Sequence, residues 1–332
     1  MYWKIKDQLS IWKNDNIETQ LVVITDHKSA DLWLGIDRNA ILIFDRSLLS
    51  KVKNRFRILK VAIQQKPDVL YFRDNFPIYI PNTNFPLVIE VQSLVKNELR
   101  ARGNLRFLAF RLFRNLYYRN ITAAVFVSRE LQQINEINLK TSHQFHISGN
   151  GIDIDRVAQL PVTQDSIELL FIGHPNQPWH GIEDIFDLAS IMPKFKFHII
   201  GYESGQTSEN VFSYKELERS EYLQIAERCT LGISTLKLNI KGMAEASPLK
   251  SREYLAMGLP IISRYEDTDF STGKDFILQL PNDSRKLTEF AGEIETFAYS
   301  WRGRRVKRSD LSVIDVKTKE RARLDFFYSL LP

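Results

Sequence analysis

Residues 241–258 read KGMAEASPLKSREYLAMG and contain the start of a helix. Ser247 is a favourable N-cap residue, and Pro248 suits the first helical position because its missing N–H would have no partner there. The backbone amides of Leu249 and Lys250 then point out of the helix start, where the helix dipole also favours negative charge. With the cation of Lys250 beside them, these amides predict an anion site suited to a diphosphate.

Two carboxylates flank this helix start. Glu245 precedes the N-cap by two residues, Glu253 lies about one and a half turns inside the helix, and seven residues separate them. This spacing lets one carboxylate reach hydroxyl groups in front of the helix while the other meets hydroxyl groups beside it. Carboxylates are natural acceptors for the hydroxyls of ribose or hexose rings. The alternatives are a loop carboxylate at Glu245 and a solvated helix glutamate at Glu253.

On both sides of this stretch, short apolar runs alternate with helical segments. Such runs predict parallel strands that helices cover on both faces, so each half of the chain is predicted to be an α/β domain. The predicted strands are 21–25, 40–45, 68–73, 86–92, 123–128 and 144–148 in the first half, and 168–173, 195–201, 210–214, 230–235, 259–264 and 276–280 in the second.

Four segments resemble a known family of enzymes. Glu245–x7–Glu253, followed by YLAMGLPII, resembles the donor motif of family-4-like, retaining GT-B glycosyltransferases. LFIGHPNQPWHGIED at 170–184 resembles the strand and loop that open the second domain of that family, and FKFHIIG at 195–201 resembles its next strand. SGNGID at 148–153 resembles the segment that ends its first domain.

The resemblance implies an α/β protein of the GT-B class, with two Rossmann-like, doubly wound domains facing a cleft. It implies sugar transfer with retention, a nucleotide sugar as co-substrate, and no metal or other cofactor. The donor would lie on the second domain, at Gly173 and the Pro248 helix. The expected divisions are an N-terminal acceptor-side domain (1–153), a linker (154–166), a C-terminal nucleotide-sugar-binding domain (167–301) and a basic C-terminal tail helix (302–332).

Two positions depart from the pattern of the family at the phosphate clamp. Many relatives have an Arg after the glycine of the opening strand and a Lys before the second glycine, whereas this chain has His174 and His180 there. A neutral imidazole donates a hydrogen bond, and an imidazolium adds charge. We expect Lys241 and Lys250 to compensate for the missing cations.

The first domain offers candidates for the acceptor side. Gln92 stands where many relatives have a His, and Glu90 points to the same side of the strand. Glu90 is the candidate catalytic group of this domain, as Glu245 is of the second; the alternative is a buried glutamate with satisfied partners. Arg73 ends the preceding strand, where it either lines the site or pairs with a carboxylate. Asn150 is grouped with Arg73 and Gln92 on the acceptor side.

The family opens with a strand and a glycine-rich loop, and this chain opens differently. Ile5, Leu9 and Trp12 recur at helical spacing, and the first glycine is Gly35. The first strand of a doubly wound sheet is central, so its absence predicts a gap. The open explanations are a misassigned start codon, another segment that fills the gap, and a degenerate chain.

Residues 105–118 predict an amphipathic helix. The predicted outer face gathers Phe107, Phe110, Arg111, Arg114 and Tyr118. Exposed aromatic residues beside arginines suit peripheral contact with anionic lipid headgroups, which a lipid-linked acceptor would require. The alternative is a helix buried on both sides. The predicted inner face carries Leu105, Leu108, Ala109, Leu112 and Leu116.

Composition excludes several other classes of protein. The net charge is only +5, which is too small to indicate a nucleic-acid partner. Cys229 is the single cysteine, which excludes internal disulfides and fits a reducing compartment. The sequence has no signal-peptide apolar region and no run of about 18 apolar residues. A cytoplasmic location, at the inner face of the cell membrane, is therefore expected.

The sequence predicts a glycosyltransferase of the hexosyltransferase type. It would move a sugar from a nucleotide sugar to a glycan or lipid-linked acceptor in surface polysaccharide biosynthesis. The two alternatives are a non-catalytic GT-B-like protein that binds a glycan or a partner, and a sugar-nucleotide epimerase. Binding and turnover of a panel of nucleotide sugars discriminate among the three.

Overall fold

The chain forms two compact units and passes between them twice. Unit 1 comprises residues 1–149 and 316–332, and unit 2 comprises residues 150–315. The structure is a computed structural model that describes residues 2–45, 47–73, 80–94, 96–97, 104–134, 143–162, 166–174, 177–203, 208–271 and 273–332.

The elements follow one another in the alternation that the apolar runs predict. The strands are β1 Val22–Thr25, β2 Ile41–Phe44, β3 Leu70–Arg73, β4 Leu87–Val91, β5 Ala123–Phe126, β6 Gln144–Ile147, β7 Glu168–Ile172, β8 Lys196–Ile200, β9 Val211–Tyr214, β10 Leu231–Ile233, β11 Glu245–Ala246, β12 Ile261–Ser263, β13 Glu266–Asp267 and β14 Ile277–Gln279. The helices are α1 Tyr2–Asn14, α2 Ala30–Ile36, α3 Leu48–Ile63, α4 Asn104–Tyr118, α5 Arg129–Ile134, α6 Ile182–Ile191, α7 Arg219–Ala226, α8 Leu249–Ala256, α9 Ala291–Trp301 and α10 Val316–Tyr328.

All twelve predicted strands are confirmed, and their ends differ from the prediction by no more than two residues. The short parallel pair of β11 and β13 was not predicted, because two-residue strands leave no apolar run in the sequence. None of the helices in the described part of the chain is long and apolar enough to cross a membrane.

Unit 1 contains two separate parallel sheets instead of one. One sheet pairs β1 with β2, and the other has the order β3-β4-β5-β6. Residues 2–14 form α1, so no described residue supplies a strand that joins the two sheets. Over the described residues, a helix therefore precedes β1, as predicted, and the two sheets of unit 1 are not joined.

The first and the last helix of the described chain, α1 and α10, together cover the four-stranded sheet. Leu9 and Trp12 of α1 pack with Leu324 and Phe327 of α10 against Val88 of β4. The apolar spacing that predicted α1 therefore marks its buried face. Helix α10 thus completes the core of unit 1. The segment 302–332, which was predicted to be a single tail helix, is divided between the two units.

The boundaries between the units also differ from the prediction. Residues 302–315 belong to unit 2, and residues 316–332 belong to unit 1. The predicted linker 154–166 is built into unit 2, because Ile154, Val157 and Leu160 are buried in its core. Periodicity alone did not distinguish these packed apolar residues from a connecting loop.

Unit 2 is a doubly wound parallel sheet with the order β14-β12-β10-β7-β8-β9. If the six strands of this sheet are numbered along the chain from β7, their order from β9 to β14 is 3-2-1-4-5-6, which is the arrangement of the Rossmann fold. Strands β7 and β10 are adjacent, and the connections that leave them run in opposite directions across the sheet. Ligands bind such sheets outside the carboxyl ends of the strands, at the point where the strand order reverses.

Candidate functional site

The carboxyl ends of β7 and β8 approach each other closely beside the reversal point of unit 2. Gly201 has φ +84°, and a Cβ atom there would lie 2.1 Å from the carbonyl oxygen of Gly173. The Gly173 N–H donates a hydrogen bond of 3.0 Å to the carbonyl of Ile200. Only glycine permits this contact. The two glycines border a pocket of about 260 Å³ that is also lined by His174, Glu203, Lys215 and Glu216.

Lys250 places a buried ammonium group at this end of the sheet. Its Nζ has no hydrogen-bond partner among the described residues and lies 4.3 Å from the ring centroid of Phe171, which belongs to β7. Burial lowers the pKa of Lys250 to about 7. A buried ammonium without a partner is costly, so an anion that reached it would be bound strongly.

His180 lies in the same cluster but does not supply a charge. An added Cβ on Gly173 would be 3.0 Å from His180 Nδ1, which shows how closely the two residues pack. Burial, together with the cations Lys250 and Lys241 and with His174, lowers the pKa of His180 to about 3. The imidazole is therefore neutral in the neutral pH range. The structure brings together the predicted donor residues Gly173, His174, His180, Lys241 and Lys250.

The helix start differs from the prediction in its capping. Helix α8 begins at Leu249, Pro248 occupies the N-cap, and no side chain caps the helix. The Pro248 carbonyl accepts the Ser251 N–H at 3.1 Å, which is the first bond of the helix. The amides of Leu249 and Lys250 precede that bond and remain at the helix start, as the anion-site prediction requires.

Ser247 takes part in a tertiary network instead of capping the helix. Its Oγ accepts the Asn150 backbone N–H at 2.7 Å and Nη2 of Arg252 at 2.8 Å. Arg252 is completely buried and donates to both carboxylate oxygens of Asp267, at 2.6 and 2.8 Å, and to Asp269 at 2.8 Å. Asn150, predicted on the acceptor side, belongs to unit 2, where its carbonyl accepts Arg252 Nε at 3.0 Å.

The two glutamates of the donor motif have different surroundings. Glu253 is partly exposed; its Oε1 accepts the hydroxyl of Tyr222 and lies 3.6 Å from Nη1 of Arg219, both on α7. In the described part of the chain Oε2 of Glu253 has no partner. Glu245 is buried in β11. Neither Tyr222 nor Arg219 could be predicted from the sequence, because an exposed helix carries such residues for many reasons.

Glu90 is a buried, ion-paired residue, which agrees with the alternative to its predicted catalytic role. Only 2 % of its side chain is exposed, and its carboxylate lies 2.9 Å from Lys4, 2.9 Å from Arg73 and 3.6 Å from Arg323. Burial alone would raise its pKa, but these cations outweigh burial and hold the pKa well below its usual range. Arg73 pairs with the Glu90 carboxylate. This agrees with the second of the two hypotheses for Arg73, which was pairing with a carboxylate instead of lining the site. Gln92 is half-buried after β4.

The faces of α4 differ from the prediction at four residues, because Phe110 and Tyr118 are buried whereas Leu108 and Leu112 are exposed. Phe110 is 1 % exposed, whereas Leu112 is 67 % exposed and Phe113 is 55 % exposed. Phe107 and Arg114 are half-buried, and Arg111 is exposed. The core of unit 1 therefore takes the face that carries Phe110, and the predicted lipid-contacting face is wrong at that residue.

No protein-family model matches the sequence, and the comparison with curated proteins finds no match. Solved structures are similar in fold. A lipopolysaccharide outer core galactosyltransferase matches with 15 % identity and a TM-score of 0.63, over 99 % of this chain and 96 % of that chain.

Two further glycosyltransferase structures match. The sucrose-phosphate synthase of Thermosynechococcus elongatus matches with 13 % identity and a TM-score of 0.61, over 85 % of this chain and 78 % of that chain. An alpha-glucosyltransferase in complex with UDP-glucose and DNA containing an abasic site matches with 14 % identity and a TM-score of 0.59, over 97 % and 94 %. At these identities the likeness shows the fold, which is the GT-B fold.

Proposed function

We propose that the chain is a retaining glycosyltransferase that moves a hexosyl group from a nucleotide sugar to a glycan or lipid-linked acceptor in surface polysaccharide biosynthesis. The observation that carries the proposal is the unpaired, buried ammonium of Lys250 at the start of α8, beside the close approach of Gly173 and Gly201. A cation, free backbone amides and a glycine-lined pocket are what a sugar diphosphate needs. The fold shared with glycosyltransferases supports the same function.

Each residue of the cluster has a role in this proposal. The diphosphate lies at the α8 start, where Lys250 and Lys241 neutralise it and the neutral His180 donates a hydrogen bond. Oε2 of Glu253 accepts a hydroxyl of the nucleotide ribose or the hexose, while Tyr222 and Arg219 hold Oε1 in place. Glu245 is the second carboxylate of the site.

The reaction breaks the bond between the anomeric carbon and the diphosphate and forms a bond to an acceptor hydroxyl, whose proton the departing diphosphate takes. Negative charge on the diphosphate grows as its bond breaks, so the lysines stabilise the transition state more than the ground state. No metal ion is part of the proposal.

Two substitutions in the donor site test the proposal. Removing a charge-assisted hydrogen bond costs roughly 1.5–3 kcal/mol, so Lys250→Met and Glu253→Ala should each weaken binding of UDP-, GDP- or TDP-sugars about ten- to a hundredfold. Affinity of the unsubstituted chain should also fall as the pH rises above about 7, where Lys250 loses its proton. Isothermal titration calorimetry measures both effects.

Two surface residues of unit 2 provide matched controls. Lys194→Met and Glu295→Ala replace exposed side chains outside the site and should leave donor affinity unchanged. If none of the nucleotide sugars binds to the folded chain, or if the site variants bind as well as the controls, the donor-site proposal is wrong. NMR of the transferred sugar reports whether the anomeric configuration is retained.

A non-catalytic GT-B-like glycan-binding protein is the second candidate. The neutral state of His180 favours it, because the phosphate clamp then relies on lysines alone. A nucleotide sugar that binds without hydrolysis or transfer to any acceptor would support this candidate. An isomerised nucleotide sugar as the product would instead identify an epimerase.

We also propose peripheral contact with the inner face of the cell membrane through the exposed face of α4. This face presents the apolar side chains of Leu108, Leu112 and Phe113 next to the exposed Arg111. Apolar side chains beside a cation suit an interface with anionic lipid. Phe110 is buried and Phe107 is half-buried, so Leu108, Leu112 and Phe113 replace them as the proposed lipid-contacting residues.

Vesicle flotation tests this contact. Burying a large apolar side chain contributes at most about 1.5–3 kcal/mol, so a Leu112→Ser/Phe113→Ser variant should float with phosphatidylglycerol vesicles at least tenfold less well than the unsubstituted chain at low salt. Phe56→Ser, on the exposed part of α3, is the control and should float normally. If the unsubstituted chain ignores anionic vesicles at low salt, or if the double variant floats as well as the control, α4 is not a membrane contact.

A further inference from the structure

Unit 1 contains a pocket that none of the predicted site residues lines. Its volume is about 520 Å³, and it lies at the carboxyl ends of β1 and β2, the two strands that stand apart from the four-stranded sheet. Pockets that hold small ligands have volumes of roughly 300–1,000 Å³. The lining residues used below are Tyr2, Thr25, Asp26, Ser29, Trp33 and Asp45.

Two carboxylates form the polar part of this pocket. Asp26 directly follows β1 and accepts the backbone N–H of Ser29 at 2.8 Å. Asp45 directly follows β2, and its Oδ1 accepts Nδ2 of Asn54 at 2.8 Å. Asn54 is itself buried and also donates to the carbonyl of Phe44. Its two hydrogen bonds therefore fix the orientation of the Asp45 carboxylate. Hydrogen bonds from Ser29 lower the pKa of Asp26, so this group is ionised at neutral pH.

Aromatic rings form another part of the lining. The rings of Tyr2 and Trp33 have centroids 6.0 Å apart and are inclined by 59°. Trp3 meets Tyr2 edge to face at 5.2 Å and is 63 % exposed. Tyr and Trp combine a flat apolar face with a polar end, and they recur where a ligand is apolar on one side and wet on the other.

The charges of the pocket decide which ligand suits it. The described lining residues include two carboxylates and no Lys or Arg, so a phosphate or a nucleic-acid backbone would meet repulsion. A hexose ring has a face of C–H groups that packs against an aromatic ring, and hydroxyls at its rim that donate to carboxylates. Thr25 and Ser29 add hydroxyl groups beside the two carboxylates.

We propose that this pocket binds a neutral hexose ring of a glycan between the Tyr2 and Trp33 rings and the Asp26 and Asp45 carboxylates. The proposal rests on the proposed function in one respect, because the glycan would be the acceptor of the transferred sugar. It moves the acceptor-binding residues from Arg73, Gln92 and Asn150 to the β1–β2 edge of unit 1.

Titration of the full chain with maltose, lactose, cellobiose and N,N′-diacetylchitobiose, without any donor, tests the proposal. We expect at least one disaccharide to bind saturably and to change tryptophan fluorescence. Asp26→Ala should weaken that binding about tenfold or more through the loss of a charge-assisted hydrogen bond. Trp33→Ala should weaken it about tenfold through the loss of the aromatic face on which the sugar packs. Asp26 is exposed, so its variant is expected to fold even if Trp33→Ala does not. Tyr328→Ala, an exposed aromatic residue of α10, is the matched control.

Each outcome either supports or overturns the pocket proposal. It is overturned if no disaccharide binds, if the variants bind as the control does, or if Ca²⁺ or inorganic phosphate occupies the pocket in place of sugar. The nucleotide-sugar titration, which depends on Lys250 of unit 2, separates the two proposals. Donor binding without disaccharide binding removes the pocket alone, whereas disaccharide binding without donor binding removes the transferase and leaves a glycan-binding protein.

Discussion

Replacement of Arg252 by Met is expected to destabilise unit 2 by about 3–5 kcal/mol, because it leaves the buried Asp267 carboxylate without its cation. Asp267 receives two hydrogen bonds from Arg252, and burial hides both partners from water. Burial opposes the charge of Arg252, but Asp267 and Asp269 raise its pKa above its ordinary value. The change also releases Ser247 and the carbonyl of Asn150.

Urea unfolding with hydrogen exchange in β10 and β12 measures the loss where it occurs. The control is Arg285→Met, which breaks an exposed pair with Asp283 and should change the midpoint little. Replacing Arg252 and Asp267 together by Met and Leu should recover part of the stability, since no charge is then left unpaired. A single Arg252→Met variant as stable as the control would show that the network does not hold unit 2 together.

Glu90→Gln is expected to destabilise unit 1 by a similar amount, about 3–5 kcal/mol, because it removes the anion that the buried Lys4 and Arg323 share with the partly exposed Arg73. The free energy of unfolding has to be measured first, because a loss of glycosyl transfer in a destabilised variant would not show a catalytic role. Adding Lys4→Met should restore part of it, since one unpaired cation is then removed. Chemical unfolding, followed by exchange in β3 and β4, measures both changes.

The same carboxylate predicts an acid dependence. Because the pKa of Glu90 is lower in the folded chain than in the unfolded chain, its contribution is fully present above its usual pKa. The contribution is lost as the pH falls below that value towards the folded pKa. The Glu90→Gln variant should therefore unfold with a weaker dependence on acid pH. A variant that keeps native stability and loses only sugar transfer would restore the catalytic interpretation of Glu90.

The parallel strands and the donor helix could be predicted because their signals are local. A strand buried on both faces is an uninterrupted apolar run, as in 169–172, whatever the rest of the chain does. Pro248 marks a helix start for a reason that involves only its own ring and missing N–H. The placement of Lys250 beside Gly173 then followed from the order of strands and helices in a doubly wound sheet.

Features that depend on distant partners could not be predicted. Phe110 and Leu112 are both apolar, and only the residues packed against α4 decide which of them is buried. Ser247 has the composition of an N-cap, but the hydrogen bonds of Asn150 and Arg252 compete with capping. The sequence alone does not distinguish an arginine that joins a buried network, such as Arg252, from an arginine that is exposed to water.

The aromatic pocket escaped prediction for a related reason. Tyr2 lies in the first helix, whereas Asp26 and Asp45 follow separate strands, so nothing in the spacing of these residues joins them. Only the absence of the opening strand, which was predicted, pointed to an unusual arrangement at this end of unit 1.

The order in which a ribosome makes the chain gives the position of α10 a further consequence. Unit 2 is encoded as one continuous segment, whereas unit 1 needs residues from both sides of that segment. At roughly 5–20 residues per second, Arg323 emerges from the peptidyl-transferase centre some ten to fifty seconds after Glu90. During that interval Glu90 lacks Arg323, one of the three cations that contact it among the described residues. The part of the protein that is synthesised first is therefore the last to become a complete folding unit, because unit 1 stays unfinished until α10 has left the ribosome.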